Sequence, residues 1–571
     1  LIALGKSDEK HAGRIGHFLG AVVLKATPPI AGDVTRYFVI DGQQRMTTMQ
    51  LLLDAAQEVI EKLGYSNEAE ALGDLILNTG TRFEGKPERF KLWPSRADRA
   101  GFEFAMNPPE GCCPTDSRVV EAHRYFQSEI QKWVLGEGQE PDEQVPGDQR
   151  SRAFCLAEVL QSKLSLVSIN LEVADDDQLI FETLNDRGTP LLAADLIKNW
   201  VFQRGSELHA DVETWADRYW LEFDDEWWRQ EISQGRHMRS RIDVFLQYWL
   251  TMRTREEVSS DGIFRRFRQY AAAHTKNLEQ VEYLLVQLTK DAATFRGFSR
   301  LSPDVPAGGF YSRVIEALEL AATAPLLLWM LSDNHAVPPA EVEKGLCALE
   351  SWVIRRTLLR HTMKDVNKLM VSLLGELDTG AVEVAGQVVY DFLAAQTADA
   401  RMWPTDSDII NELPNIRLYG NVRQGRLRVV LEGIEKRLRT DRHENTFLPQ
   451  KLEIEHVMPQ AWRTYWNEER QLRTDEATAR DKLVNTLGNL TLVNQKLNGA
   501  LSNRPWSNEA ASIVAPNGSE AGVGKRSLLG RYSLLVMNKE LIDNHTESWT
   551  ESDIRARGER MARKLCEVWP R

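Results

Sequence analysis

Two hydrophobic periods alternate along the first part of the chain. Arg36-Tyr37-Phe38-Val39-Ile40 is a short aromatic and β-branched run and predicts a strand. Met46 to Leu63 then sets Met49, Leu52, Leu53, Ala56, Val59, Ile60 and Leu63 at spacings of three and four, one side of a helix. Leu164 to Leu171 alternates or runs apolar and predicts a second strand. Asp195 to Gln203 predicts a helix after the Gly188-Thr189-Pro190 turn. Gly136 to Ser151, dense in Gly, Pro, Glu, Asp and Gln, predicts a mobile loop inside this domain.

From about Arg239 to Ala395 the spacing is three and four almost throughout, and Trp, Leu and Ala are frequent. This is the pattern of a helical domain that joins or spaces the two ends. Its longest apolar run, Leu320 to Leu331, is too short to span a bilayer and holds Pro325, so a buried helix is expected. A third segment starts near Arg401 and carries a flexible loop at Pro516 to Arg526 and closing helices to Arg571. The expected fold class is a multidomain, helix-rich α+β protein, with domains at 1–238, 239–400 and 401–571.

Length and charge sharpen this picture. A chain of 571 residues is too long for one core and suggests about three or four domains. Its net charge is -13, so it does not coat nucleic acid indiscriminately, and any DNA contact must come from local basic patches. Arg417 to Arg442 is such a patch. Its Arg417, Arg423, Arg426, Arg428, Lys436, Arg437, Arg439 and Arg442 outweigh Glu432, Glu435 and Asp441. Arg426 and Arg428 are its candidate DNA contacts, with a solvated helix face as the equal alternative. The five cysteines form no C-x-x-C pair and no zinc spacing, which fits a reducing cytoplasm. No signal peptide is visible, and the start at Leu1 suggests that residues precede it.

The candidate chemistry is concentrated near the C-terminal end. Ile454-Glu455-His456-Val457-Met458-Pro459-Gln460 is followed by Leu487-Gly488-Asn489-Leu490-Thr491-Leu492-Val493-Asn494 and by Lys496-Leu497-Asn498. Phosphodiester hydrolysis needs an activated water, charge neutralisation at phosphorus and help for the departing oxygen. One hard divalent ion on oxygen ligands does the last two, and a histidine can take the water's proton. Adjacent Glu455 and His456 point to opposite faces of a strand, so a local bend must converge them. Asn489 precedes a strand-like run, and Asn498, nine residues on, leaves room for a turn into a helix. A lone His-x-x-Pro is more often a core histidine; the whole ordered set outweighs that reading.

This set resembles the HNH, ββα-metal nucleases, including the HNH domain of CRISPR effector nucleases. They share the acidic-His-x-x-Pro-Gln pattern, then Asn, then Asn nine later. The resemblance implies Glu455 and Asn498 as metal ligands, His456 as general base and Asn489 as the residue that orients it. Asn in the last position favours Mg²⁺ or Mn²⁺ over zinc.

At the other end, Asp41-Gly42-Gln43-Gln44-Arg45 follows a strand, and Met46-Thr47-Thr48 opens a helix. A Gly turn there brings backbone N–H groups to a helix N-terminus, where an anion is favoured. Arg45 can add a charge-assisted phosphate contact, and Thr47 or Thr48 can cap the helix or touch a phosphate. Asp-Gly-Gln-Gln-Arg-x-Thr-Thr resembles the signature of the ParB/sulfiredoxin-like domain of GmrSD-type (SspE/BrxU-like) modification-dependent restriction enzymes. A second signature is similar: Phe181-Glu182-x-Leu184-Asn185-x-Arg187-Gly188-x-x-Leu191, then Asp195-Leu196-Ile197-Lys198-Asn199. The resemblance implies a nucleotide site lined by Asp41, Gly42, Gln43, Gln44, Arg45, Thr47 and Thr48. Asn185, Arg187 and Lys198 are expected as nucleotide or DNA neighbours. The family's Tyr-Gln-Arg-x-Tyr-x-Trp-like opening is missing before Asp41, and there is no P-loop, so any NTP turnover is not Walker chemistry.

The expectation is therefore an anti-phage DNA endonuclease that nicks or cuts double-stranded DNA. It would use Mg²⁺ or Mn²⁺, be regulated by hydrolysis of GTP or another NTP, and sense phosphorothioate or modified cytosine. A homodimer and no membrane association complete it. The rivals are a nuclease with a non-catalytic N-terminal regulator and an NTP-switched DNA-binding protein of ParB type without nuclease activity.

Overall fold

The computed structural model describes residues 16–27, 34–94, 98–107, 117–137, 148–172, 192–234, 237–440, 442–443, 448–449, 451–466, 472–514 and 520–571. Its chain forms two compact units, Leu1–Pro190 and Leu191–Arg571. The fold is helix-rich α+β, as the patterning predicts.

In the first unit a three-stranded sheet runs in the order β2-β1-β3, with β1 at His17–Ala26, β2 at Tyr37–Asp41 and β3 at Leu164–Leu171. β2 is antiparallel to β1, pairing Asp41 with Val23 and Tyr37 with Ala26, whereas β3 is parallel to it, pairing Leu164 with His17 and Leu171 with Lys25. β2 and β3 fall where the apolar runs place them. The central strand β1 was not anticipated, and its sequence shows why: Gly20 sits at φ 107 and the register slips between Phe18 and Ala21, so no clean alternation survives.

The parallel pairing needs a long crossover, and helices supply it. They are α1 (Gln43–Lys62), α2 (Ser66–Ile76), α3 (Arg99–Met106), α4 (Arg118–Leu135) and α5 (Gln149–Ser162). Their core includes Leu51, Ile60, Leu72, Phe102, Trp133 and Leu156. α5 begins inside the loop expected at 136–151, with Asp148 accepting from Ser151 N as its cap; residues 138–147 lie outside the described residues. Between α1 and α4, Asp54, Glu58 and His123 hold donor atoms within 4.8 Å of one another. The trio is satisfied by hydrogen bonds. His123 Nε2 meets Asp54 Oδ2 at 2.8 Å, and Glu58 Oε2 accepts from Gln127 at 2.7 Å and Lys62 at 3.0 Å.

The second unit begins with α6 (Ala193–Glu207) and a small hairpin of β4 (Glu231–Gln234) and β5 (His237–Ser240). Helices α7 (Arg241–Thr254), α8 (Ile263–His274), α9 (Leu278–Gly297), α10 (Ala324–Leu331), α11 (Pro339–Leu358), α12 (Val366–Thr379) and α13 (Ala385–Ala394) form the helical stretch. The apolar run at 320–331 holds a buried helix over Ala324–Leu331, and Pro325 sits in its first turn, where no N–H is needed. One apolar core runs from Ala194 to Trp569, across positions 238 and 400.

Two wholly buried arginines stitch this core together, and the first also ties it to the chain end. Arg355 donates to the carbonyls of Trp569 and Pro404 at 2.9 and 3.0 Å and to Asp406 at 2.6 Å. Arg356 donates to the carbonyls of Met402, Thr362 and Ala400. Both are architectural. Among the described residues no helix is long and apolar enough to cross a membrane.

Candidate active site

After α14 (Gln424–Leu438) the chain forms β6 (Leu452–His456), α15 (Thr474–Leu483), β7 (Leu490–Asn494) and α16 (Gln495–Leu501). β6 and β7 pair antiparallel, with Leu452 opposite Asn494, Glu455 opposite Thr491 and His456 opposite Leu490. Asn494 caps α16 by accepting from Leu497 N, so the helix starts as the strand ends. The result is two strands followed directly by a helix, with Val457, Met458, Val484, Leu497 and Trp506 in a small core around it.

His456 closes β6 and is buried. Its ring meets Tyr419 edge-on at 4.4 Å between centroids, and its Nε2 lies 3.4 Å from Asn485 Oδ1. That oxygen also accepts from Gln460 Nε2 at 2.8 Å, while the Asn485 backbone carbonyl accepts from Leu418 N and Tyr419 N. With Nε2 donating to Asn485, the neutral ring keeps Nδ1 as its proton acceptor. Burial, reinforced by the Lys525 ammonium, pushes the imidazole down to about 4, so it is neutral across the physiological range.

Asn489 lies in a different relation to this ring. Its Oδ1 accepts from Met458 N at 2.8 Å and Trp549 Nε1 at 3.0 Å. Its Nδ2 donates to the carbonyls of Met458 and Val484, both at 2.8 Å. All four positions of the amide are filled. Asn489 therefore pins the backbone two residues beyond His456, and Asn485 is the residue at the ring itself.

Glu453 and Glu455 share the face of β6 opposite His456. Glu455 is buried and forms an ion pair with Lys525, which is 1% exposed and also donates to the His456 carbonyl at 2.6 Å. Burial pushes the Glu455 carboxyl up and the Lys525 ammonium down, and each opposes the other's shift. Lys525 opens α17 (Lys525–Tyr532), so the end of the loop expected at 516–526 is helix, and residues 515–519 lie outside the described residues. Asn498, on α16, donates to Glu453 Oε2 at 2.7 Å, which leaves its Oδ1 uncommitted to that contact. The structure thus brings Asn498 to Glu453, and Glu455 to Lys525, on one side, and His456 to Asn485 and Tyr419 on the other.

Glu453 is absent from the sequence reading, although strand alternation from Glu455 points to it. Asn485 and Lys525 were not legible: they lie 29 and 69 residues from His456 and reach it only through tertiary packing. Carboxylates and amide oxygens are donors of the kind a hard divalent cation takes, and here they are engaged as two pairs, Glu453 with Asn498 and Glu455 with Lys525.

The basic stretch is largely engaged. Arg423 and Arg426 face Glu319, Arg437 pairs with Glu567 at 3.1 Å, and Arg439 pairs with the buried Glu435 at 2.9 Å. Arg428 donates to the Leu452 carbonyl at 3.3 Å and so steadies the first residue of β6.

In the first unit, Asp41 ends β2 and Gly42 takes the left-handed conformation at φ 92 as the cap of α1. The helix starts at Gln43, so Thr47 and Thr48 lie a turn inside it and do not cap it. Gln43 and Gln44 are exposed, and Gln43 Nε2 returns to the Val39 carbonyl at 3.0 Å. Arg45 folds back onto β1: its guanidinium bonds the Ala21 carbonyl and lies across Gly20, where a Cβ would come within 3.2 Å of it. Lys198 pairs with Asp224 at 2.9 Å, in the second unit. Asn185 and Arg187 lie outside the described residues.

Comparison with known proteins finds a family model at each end of the chain. Residues 7–202 match the family model for the GmrSD restriction endonuclease N-terminal domain, and residues 403–564 match that for the GmrSD restriction endonuclease C-terminal domain. A search of curated proteins found no match. The two domain models occur in their proper order and together span well over half of the chain, which belongs to the GmrSD family of restriction endonucleases.

Proposed function

We propose that the second unit hydrolyses DNA phosphodiesters at a one-metal site, with His456 as general base. The observation that carries this reading is the buried His456, next in sequence to Glu455, at the end of a strand whose partner leads straight into the helix bearing Asn498. His456 takes a proton from the attacking water at Nδ1. Asn485 holds the ring from Nε2, and Asn489 fixes the turn beyond it through Met458.

Glu455 and Asn498 would hold Mg²⁺ or Mn²⁺, with Glu453 as a further oxygen donor. Such an ion supplies charge neutralisation at phosphorus and at the departing oxygen. Lys525 keeps Glu455 fixed and is too deeply buried to touch DNA, so its role is positioning. Cleavage of plasmid by wild type and His456→Ala in Mg²⁺ tests the reading: equal cleavage rejects it.

The first unit is proposed to bind and hydrolyse GTP or another NTP at the Asp41–Thr48 junction and to sense modified DNA, phosphorothioate or modified cytosine, as part of phage defence. Its left-handed Gly42 at a strand-to-helix turn supports an anion site at the start of α1. A second reading, a non-catalytic regulator, is favoured by Arg45, whose guanidinium turns onto β1 and bonds the Ala21 carbonyl. Cleavage of modified and unmodified plasmid with and without each NTP separates the two: identical cutting in every condition supports the regulator without turnover.

A further inference from the structure

α14, α18 (Val536–Asn544) and α19 (Glu551–Val568) line a half-open cavity of about 230 Å³ on the second unit, with Leu438, Met537, Leu541 and Met561 as apolar parts of its wall. Its walls carry Arg557, Arg560, Arg563 and Lys564, against Glu540 and Glu567. Glu567 is already taken by Lys564 and by Arg437. Arg560 and Arg563 are exposed and make no ion pair among the described residues. In a chain of net charge -13, this is a local excess of positive charge around a concavity.

Arg557 makes the site more than a basic surface. Arg557 is 5% exposed and forms no ion pair among the described residues, although the Glu540 carboxylate on the same wall is near enough for its charge to act on it. Nη1 donates to the carbonyls of Gly488 and Leu490 at 2.8 and 2.7 Å, while Nη2 is buried with no hydrogen-bond partner. Burial, with Arg560 beside it and Glu540 opposing, pushes the guanidinium down to about 10, which leaves it charged near neutrality. A buried cation with an unused donor group leaves part of its hydrogen-bonding capacity unmet, and an anionic acceptor would satisfy it best. The two carbonyls it holds flank Asn489, and Leu490 pairs with His456 across the hairpin, so Arg557 joins the cavity wall to the candidate active site.

We propose that this cavity is a phosphoryl-group site, with Arg557 as its buried anchor and Arg560 and Arg563 at its rim. A backbone phosphate of DNA and a free phosphate share that chemistry. The DNA source rests on the chain acting on DNA; the phosphoryl site does not.

The test uses the full chain without divalent metal, so it needs no cleavage and can fail independently of the His456 assignment. Arg560→Glu/Arg563→Glu and the milder Arg560→Gln/Arg563→Gln, both of exposed positions, are compared with wild type after thermal unfolding has shown them folded. Duplex DNA binding is followed by anisotropy across salt, and unfolding midpoints are compared in inorganic phosphate and in chloride of equal ionic strength. If DNA supplies the phosphate, the charge reversal weakens duplex binding about tenfold or more and reduces the salt slope by about 2. If free phosphate is the ligand, it raises the wild-type midpoint and not the variant's, with duplex binding unchanged. Wild-type behaviour of both variants in both arms overturns the proposal.

Discussion

At His456 the chemistry is set by burial, not by residue type. The ring is neutral because its surroundings are dry and the Lys525 ammonium is close, and a neutral ring is what a proton acceptor requires. Its folded-state value lies below that of an exposed histidine, so the unfolded chain binds the extra proton first. The contribution to stability is present above about pH 6.5 and is lost as pH falls towards 4. Cleavage rate in the free enzyme is expected to follow the neutral form, flat through neutrality and falling on the acid side; a rate that rises on acidification contradicts this. Lys525→Met should destabilise the fold by about 3–5 kcal/mol, since it strands a buried carboxylate. Lys525→Met combined with Glu455→Met should recover much of that loss while remaining inactive. Recovery of stability in the double variant, read by denaturant unfolding, separates the ion pair from simple packing; a double variant worse than the single one refutes it.

Among the elements, the turn before β7 is where packing and chemistry meet. Gly488 lies against the start of α19, and a Cβ there would collide with the Ile554 carbonyl. Gly488→Ala should therefore push α19 from the turn that carries Asn489, costing about 2 kcal/mol or more and most of the cleavage activity. Unchanged unfolding and cleavage would show that the turn is not under this constraint. The same scale shows what the sequence discloses. β2, β3 and α1 were legible because each keeps one period over its length, and the buried helix at 324–331 was legible from its apolar run. β1 was not, because a positive-φ glycine and a register slip break its alternation. In the candidate site, Glu455, His456, Asn489 and Asn498 were legible from local order. Asn485 and Lys525 were not, because only tertiary contacts far apart in sequence bring them to His456. Asn489 was placed at the right turn, yet its amide is saturated by backbone and Trp549, which no local pattern reveals.

For the whole molecule, two compact units carry the two halves of a restriction endonuclease family. The proposed division of labour gives sensing and nucleotide turnover to the first and hydrolysis to the second. Gln44→Ala alters an exposed motif residue and should reduce NTP turnover while leaving the unfolding midpoint unchanged. Arg45→Ala removes a contact to β1 and should lower both. Turnover that survives both substitutions would place nucleotide chemistry elsewhere. The most direct measurement is plasmid cleavage in Mg²⁺ by wild type and His456→Ala at matched fold stability. A loss of about a hundredfold or more is expected. Cleavage by His456→Ala at the wild-type rate would contradict the assignment.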